Sequence, residues 1–430
     1  MTLNTFKAVF LGLLLVSSVN GTTQTRSAAE RYQNLKEALR KARNQKHWRS
    51  SLAAAQAMEK FLNQSPDSLL EAARAEVHVG DLTAASRKLQ EFVTMGEWSD
   101  LPNKSDEFAP LRERGSFSEL EARMKANRSP ISLATKIFSI HDADLLAEDV
   151  DYDANAQRFL ITSVRKKKIV AITATGADQD FAKAPDNWSM LAIKVDARRR
   201  VVWATEVALQ GFIFAPASDW GRSAVVCYDL GSGKLLRRIE GPRGSALGDM
   251  VLTAEGNVIV SDGNGGGVYR LMRNSEVLQR LDDGDFMSPQ TPAMHPDGRH
   301  VFVPDYMRGI GVLEITTKHV RWLSMQGRFA LSGIDGLYFE EGRLIAVQNG
   351  TSPERAVAFT LDRTLSRVIG EKIIERSTEH FGDPTHGVVV DGSFYYIANS
   401  GWDLLDDQGN VKPGLNPSEA SLMDVQLGEL

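Results

Sequence analysis

The sequence predicts a mainly β protein, a six-bladed β-propeller preceded by a small α-helical domain. Two observations lead to this fold class. Up to about residue 127, apolar residues recur at helical spacing, whereas from residue 131 short β-branched and aromatic runs alternate with tight polar turns. The turns occur six times at intervals of 42 to 58 residues, and a period of about 45 residues is typical of propeller blades.

Length and composition bound the class of protein. The chain has 430 residues, of which 42% are hydrophobic and 24% charged, with a net charge of −5 and one Cys. A single Cys excludes an intramolecular disulfide framework and a Cys-based zinc site. The negative net charge argues against a nucleic-acid partner, because non-specific binding needs a cationic surface. Cys227 lies in an apolar run, where we interpret it as a small buried hydrophobe.

Residues 1–21 have the features of a secretory signal peptide. Lys7 is followed by an apolar run of 12 residues from Ala8 to Val19, and Gly21 supplies a small residue at a cleavage point. The run is shorter than the roughly 20 residues that a membrane-spanning helix needs. We therefore expect an exported protein, periplasmic or secreted, with no membrane span after the signal is removed.

Residues 28–127 are predicted to form the helical domain. Apolar residues fall on one face of each helix, and Gly80-Asp81 is predicted to end one helix and cap the next. This hairpin, with the small pair Ala84-Ala85, resembles a tetratricopeptide-type repeat over residues 45–97. Such repeats need about three units to be stable alone, so the segment is expected to pack on the second domain. It is interpreted either as a surface for a protein partner or as a packing cap.

Residues 131–430 are predicted to form the propeller. Each repeat has a strand, a tight turn, and further strands, and the turns begin at Asp153, Asp196, Ala254, Pro296, Glu340 and Val390. Thr135–Ile140 precedes the first repeat and is predicted to be the outer strand of the last blade. Closure of the ring in this way removes most free sheet edges.

Three segments carry a resemblance to a known family: Glu148–Asp153 followed by Phe159–Ser163, Gly248–Thr253 followed by Ile259–Asp262, and Gly333–Tyr338. They resemble the senescence-marker-protein and gluconolactonase family of six-bladed propellers, and more loosely the paraoxonase-like calcium-dependent hydrolases. The resemblance spans residues 131–430. It implies a divalent cation, usually calcium, held in the central channel by a Glu, two Asn and an Asp of the inner strands.

Equivalent repeat positions should surround the channel. Five residues before the first residue of each turn lie Glu148, Leu191, Asp249, Thr291, Asp335 and Thr385. Glu148 and Asp335 match the family's Glu and Asp, whereas Gly248, beside Asp249, and Thr291 stand where the family has Asn. The expected metal ligands are therefore Glu148, Asp249 and Asp335, because calcium prefers oxygen ligands. In the other interpretation these groups bind one another or channel water.

The resemblance also implies a hydrolase of small lactones or esters. The cation would polarise the carbonyl group, and Asp249 or Asp335 would accept the proton of the attacking water. His386, next to Thr385, is interpreted as a proton shuttle, a substrate contact or a structural histidine. Three tryptophans in polar loops either line a mouth for a sugar-like ring or pack at blade ends: Trp188, Trp220 and Trp402. His295 and His300 flank a turn and are not expected to form a zinc site.

Two hypotheses for function stay open at this point, so enzyme activity is not decided. In the first, the protein is an exported hydrolase that acts on a small lactone or ester through a channel metal. In the second, it is a non-catalytic propeller whose helical cap or ring binds a protein or a glycan in the cell envelope. The acids at Glu148 and Asp335 favour the first hypothesis, and the missing Asn ligands favour the second.

Overall fold

The computed structural model describes residues 27–430, so the predicted signal peptide lies outside the described residues. The described chain begins with helices: α1 (Ala28–Asn44), α2 (Trp48–Phe61), α3 (Pro66–Val79), α4 (Leu82–Thr94), α5 (Leu101–Lys104), α6 (Ala109–Arg112) and α7 (Phe117–Ala126). Short 3-10 turns lie at Asp106–Phe108, Trp402–Leu404 and Leu427–Glu429. None of the helices in residues 27–430 is both long enough and apolar enough to cross a bilayer.

The helix boundaries follow from local chemistry. Ser27 and Glu30 form a reciprocal capping box at the start of α1. Gly80 ends α3 in the left-handed conformation, with a φ of 88°, and the Asp81 side chain accepts from the Ala84 N–H at the start of α4. The predicted helical hairpin at Gly80-Asp81 is thereby confirmed. Its assignment to the tetratricopeptide type stays a prediction.

Strands follow the helices. Two precede the first blade: β1 (Ile131–Ser132) and β2 (Thr135–Ile140). The first three blades contain β3 (Ala147–Asp153), β4 (Arg158–Ser163), β5 (Lys168–Thr173), β6 (Asp178–Lys183), β7 (Ser189–Asp196), β8 (Val201–Val207), β9 (Ser223–Asp229), β10 (Leu235–Glu240), β11 (Leu247–Leu252), β12 (Val258–Asp262), β13 (Gly267–Leu271) and β14 (Leu278–Arg280). The last three contain β15 (Ala293–Met294), β16 (His300–Asp305), β17 (Gly309–Glu314), β18 (Val320–Trp322), β19 (Ser324–Met325), β20 (Ile334–Glu340), β21 (Arg343–Gln348), β22 (Arg355–Leu361), β23 (Arg367–Arg376), β24 (Gly387–Val390), β25 (Ser393–Ile397) and β26 (Ala420–Gln426).

These strands form six sheets arranged as a ring, and their pairings are antiparallel except for the parallel pairing of β19 with β23. The innermost strands are β3, β7, β11, β15, β20 and β24, and each contacts the next, with β24 returning to β3. All six predicted turns lie between the first and second strands of a blade. The six-bladed propeller is confirmed.

The ring is closed by a strand from the start of the propeller. β2 pairs with β26 as the outer strand of the sixth blade, with Thr135 opposite Asp424 and Ile140 opposite Ala420. This confirms the predicted position of Thr135–Ile140. Apolar side chains fill the space between neighbouring blades, as where Phe138 of blade 6 packs with Phe159 of blade 1.

One end of the ring carries the helical region. We call it the mouth end, because the inner strands begin there; in an antiparallel blade the connection between the second and third strands lies at the same end. The helical region contacts these connections in blades 4 and 5. The Arg308 Nε–H donates to the Phe61 carbonyl at 3.0 Å, and the Trp98 N–H donates to the Ser352 carbonyl at 2.6 Å. The expectation that the helices pack on the propeller is therefore met.

Candidate functional site

In four blades the inner strand pairs irregularly at the mouth end. The register between the first and second strands shifts between Ala147 and Val150, Met190 and Ile193, Leu247 and Asp249, and Ile334 and Gly336. These shifts fall at or beside the repeat positions that the sequence places around the channel. A bulge re-aims side chains away from strict alternation, so consecutive residues such as Glu148 and Asp149 have different partners.

His386 lies in the middle of the predicted site residues. It is 2% exposed, and its Nδ1 lies 3.0 Å from the backbone oxygen of Glu148. Its Nε2 lies 2.7 Å from Oδ1 of Asp249. Burial opposes the positive charge, but the carboxylates of Asp335 and Asp249 outweigh it and hold the pKa of His386 well above its usual range.

Glu148 is a buried carboxyl group at the first repeat position. The Trp402 Nε1–H donates to its Oε2 at 2.5 Å, and the Thr385 hydroxyl donates to its backbone oxygen at 2.7 Å. Burial, countered in part by the positive charge of His386, raises the pKa of Glu148 to about 8. Burial therefore favours the protonated form of this carboxyl group.

Asp335 belongs to a polar chain that leads outward from the ring. The Asn349 amide donates to Asp335 Oδ2 at 2.8 Å, and the Tyr306 hydroxyl donates to Asn349 Oδ1 at 2.9 Å. Asp335 is partly exposed, whereas Glu148 and Asp249 are buried. Of the three predicted acids, it is therefore the one that water reaches most readily.

Thr291 is the repeat position of blade 4. Its backbone N–H donates to the Asp335 carbonyl at 3.2 Å, which joins blades 4 and 5. Its side chain is 1% exposed, and its Oγ1 has no hydrogen-bond partner among the described residues. A buried hydroxyl without a partner is costly, so Thr291 has capacity to bind a polar group of a ligand or a water molecule.

Asp149, next to Glu148, has a structural role between blades 1 and 2. Its Oδ2 accepts from the Ile193 N–H at 2.8 Å and lies 2.7 Å from Lys194 Nζ. Burial would lower the pKa of Lys194, but the charges of Asp149 and Asp151 raise it above its ordinary value. Glu148 and Asp149 thus have different roles. Glu148 faces the site, and Asp149 connects blades 1 and 2.

The structure brings several predicted residues together and adds others. His386 contacts both Asp249 and Glu148, and the charge of Asp335 acts on His386 and Glu148. Leu191 packs instead in an apolar cluster. Of the three loop tryptophans, Trp402 reaches Glu148, whereas Trp188 is 1% exposed and lies beneath the guanidinium groups of Arg222 and Arg238.

Asn349 and Tyr306 were not predicted as site residues. Both directly follow the second strand of a blade, so both lie at the mouth end. A polar residue directly after the second strand of a repeat is the sequence signal that could have identified them.

The spacing of the three predicted metal ligands bears on the calcium expectation. Calcium takes oxygen ligands at about 2.3–2.6 Å, so the ligand atoms of one ion lie within about 5 Å of one another. Within residues 27–430, one group of three His, Cys, Asp or Glu residues has its ligand atoms all within 4.8 Å of one another, and it does not include Glu148, Asp249 or Asp335. Calcium binding by these three carboxylates stays a prediction.

The group that does have this spacing is His295, Asp297 and His300, in the turn between β15 and β16. It lies at the end of the ring opposite the mouth. The Asp297 carboxylate caps this turn, since Oδ1 accepts from the Arg299 and His300 N–H groups, and Oδ2 lies 2.6 Å from His300 Nδ1. His295 and His300 flank this turn as the sequence indicates, and the turn brings a ring nitrogen of each close to the Asp297 carboxylate.

No protein-family model and no curated protein sequence matches this chain. Solved structures do match. An aldose sugar dehydrogenase from Streptomyces coelicolor, in its PQQ-bound form, is 12% identical, with 69% of this chain and 99% of that chain covered and a TM-score of 0.46. A gluconolactonase from Xanthomonas campestris is 15% identical, with 66% and 88% covered and a TM-score of 0.46.

A luciferin-regenerating enzyme is 13% identical, with 70% of this chain and 96% of that chain covered and a TM-score of 0.48. At these identities and TM-scores the matches carry no argument about function, which must be argued from the site itself.

Proposed function

We propose that this protein hydrolyses a small lactone or ester at the mouth end of the channel, using acid–base groups of its own inner ring. The observation that carries the proposal is His386, a buried histidine beside Asp249 whose Nε2 is in no aligned hydrogen bond among the described residues. Buried, strongly perturbed titratable groups of this kind cluster at functional sites.

Each acid has a distinct role in the proposed reaction. The His386 Nε2–H donates to the substrate carbonyl oxygen and stabilises the negative charge that develops there. Asp335, the most accessible of the three acids, accepts a proton from the attacking water as the water oxygen bonds to the carbonyl carbon. Asp249 keeps the imidazole charged and oriented.

The leaving group takes its proton from Glu148. The raised pKa of Glu148, about 8, keeps its carboxyl group protonated at neutral pH. When the bond between the acyl carbon and the ring or ester oxygen breaks, Glu148 protonates that oxygen. The proton held by Asp335 then returns to Glu148 through solvent, so that ester and water give acid and alcohol. A carboxyl group and a carboxylate with separated pKa values supply the acid and the base.

Turnover of a panel of small lactones and aryl esters by the purified protein tests the proposal. The Asp335→Asn variant should lower kcat/KM by about 100-fold or more, as expected for loss of a general base. The matched control is Asp297→Asn, a carboxylate at the opposite end of the ring, which should leave kcat/KM unchanged. Absence of turnover by the wild type across the panel, or full activity of Asp335→Asn, would refute the proposal.

A second candidate function rests on the helical region. A surface groove of about 440 Å³ lies between α5, α6 and α7, with the charged side chains of Arg112, Arg114 and Glu121 around Phe117. Such a groove suits a polar partner, in line with the binding-module hypothesis. This function would be favoured if the protein bound a member of a glycan panel saturably and turned over no lactone. The binding should be lost in Arg114→Glu.

A further inference from the structure

The turn between β15 and β16 holds three side chains of the kind that bind transition metals. Nδ1 of His295 lies 3.1 Å from Oδ1 of Asp297, and Nδ1 of His300 lies 2.6 Å from Oδ2 of the same carboxylate. One ligand atom from each of the three residues lies within 4.8 Å of the other two. Two imidazole groups and a carboxylate group thus meet within a short segment of one hairpin.

The backbone of this turn holds the three side chains in place. The Gly298 N–H donates to the His295 carbonyl at 3.0 Å, and the His295 N–H donates to the His300 carbonyl at 3.0 Å. Pro296 fixes φ at the second position of the turn, and Gly298 adopts the left-handed conformation, with a φ of 67°. The His295 ring packs against the Phe302 ring, with centroids 5.1 Å apart. The side chains are therefore gathered before any ion binds, which lowers the ordering cost of binding.

We propose that His295, Asp297 and His300 form a binding site for one divalent transition-metal ion, zinc being the best fit, at the end of the ring opposite the mouth. The proposal departs from the expectation, drawn from the sequence, that the two histidines do not form a zinc site, because the structure places the Asp297 carboxylate against both rings. It goes beyond the proposed hydrolysis, since this end of the ring lies away from the groups that would act on a lactone or ester.

The chemistry of the three side chains selects the class of ion. Zinc takes imidazole nitrogens at about 2.0–2.1 Å and carboxylate oxygens at about 2.0–2.2 Å, so the ligand atoms of a tetrahedral zinc ion lie about 3.3 Å apart. The contacts of 3.1 and 2.6 Å are near this spacing, and rotation of the side chains supplies the remaining adjustment. Calcium and magnesium prefer ligand sets made of oxygen, whereas imidazole suits zinc, copper and nickel.

Three protein ligands leave one position of a tetrahedral ion open. The side chains of His300 and Asp297 are 28% and 27% exposed, so water reaches this position. Three protein ligands and a water molecule are the composition of an open zinc site, in contrast to the four protein ligands of a closed structural site. We therefore expect water as the fourth ligand.

Calorimetric titration of the full-length protein with Zn²⁺, after treatment with a chelator, tests the proposal. We expect one saturable site per chain and a melting temperature that rises with Zn²⁺, because the ion binds only the folded state. Asp297→Asn and His300→Ala should each weaken Zn²⁺ binding at least about 100-fold, since even the outer-shell partners of metal ligands are worth about 10–100-fold. An excess of Ca²⁺ should not displace the Zn²⁺.

His319→Ala is the matched control. His319 is exposed in the turn between β17 and β18, in the same blade and at the same end of the ring, but it is not a member of the cluster. This variant should bind Zn²⁺ as tightly as the wild type does. Neither readout involves turnover, so the result stands whether or not the proposed hydrolysis is correct.

Three results would overturn the proposal: no saturable Zn²⁺ site in the wild type, undiminished Zn²⁺ binding by folded His300→Ala, or loss of the Zn²⁺ in Asp249→Asn, which would place the ion in the channel. If His300→Ala does not fold, Asp297→Asn decides, because its amide oxygen can still accept from the Arg299 and His300 N–H groups. If neither variant folds, X-ray absorption by the Zn²⁺-loaded wild type decides. Two imidazoles around the zinc support the site, and fewer than two refute it.

Discussion

Arg355 of blade 5 and Glu97 of the helical region form an ion pair that is buried on both sides. Nη2 of Arg355 lies 3.2 Å from Oε1 of Glu97, and the side chains are 0% and 3% exposed. Arg355 also donates to the Met95 carbonyl at 2.9 Å and to Gln348 Oε1 at 2.7 Å. Gly96 permits this approach, because it has a φ of 77° and an added Cβ would lie 2.7 Å from Nη1 of Arg355.

Loss of Arg355 should weaken the whole molecule. Arg355→Met leaves Glu97 buried without its cation, and removal of one partner of a buried pair costs about 3–5 kcal/mol. We expect the free energy of unfolding, measured in urea, to decrease by this amount. The control is Arg328→Met, since Arg328 pairs with Glu91 across the same contact at 3.3 Å but is 36% exposed; its loss should cost under about 1 kcal/mol. Equal costs for the two variants would contradict this account.

The same pair should make stability depend on pH. Burial, opposed by the charge of Arg355, raises the pKa of Glu97 from 4.5 to about 7. Between these values the folded protein binds more protons than the unfolded chain, so this group lowers the free energy of unfolding as the pH rises through the window. Above about pH 7 the loss is complete.

Glu97→Gln removes this contribution. We expect the stability of the wild type relative to Glu97→Gln to decrease between pH 4.5 and pH 7, measured by urea unfolding at several pH values. A difference that is constant or that increases with pH would show that Glu97 stays ionised throughout.

Lys194 should be needed for the contact between blades 1 and 2. Lys194→Met leaves Asp149 buried without the ammonium group that lies 2.7 Å away, at a cost of about 3–5 kcal/mol. Lys168→Met is the control, because the pair of Lys168 with Asp180, at 2.5 Å, lies on the outer edge of blade 1 with Asp180 54% exposed. Its cost should be under about 1 kcal/mol. Chemical unfolding of the two variants compares them directly.

Ring closure can be tested at two adjacent residues of β2. Phe138 is 8% exposed and packs between blades 6 and 1, whereas Ile137 is 37% exposed. Phe138→Ala should lower the free energy of unfolding by about 3–5 kcal/mol, and Ile137→Ala should change it by under about 1 kcal/mol. Thermal and urea unfolding measure both. A small effect of Phe138→Ala would mean that the β2–β26 pairing contributes little to closure.

Much of the fold could be predicted from the sequence, because turns and alternating strands are local signals. The turns at Asp153 through Val390 mark every blade, and Thr135–Ile140 was placed correctly as the closing strand. The limits of the site prediction come from register. A bulge of one residue decides whether Glu148 or Asp149 faces the site, and sequence periodicity does not show where that residue is inserted.

Contacts between residues that are distant in the sequence could not be predicted either. His386 was singled out, but its position between Glu148 and Asp249 depends on the packing of three blades. Arg355 and Glu97 are separated by more than 250 residues, and no local pattern links them. The identities of the acids were therefore predictable, whereas the partner that each acid takes was not.

The pairing of β2 with β26 has a consequence for the order in which the molecule assembles. During synthesis Thr135 emerges long before its partner Asp424, so β2 stays without its partner strand until nearly the whole remaining chain has been made. Pairing of such distant segments is slow. The surface of blades 4 and 5 that contacts the helical region is also synthesised after the helices. Translation must therefore be almost complete before the ring can close. Until then β2 is an unpaired strand that chaperones can bind.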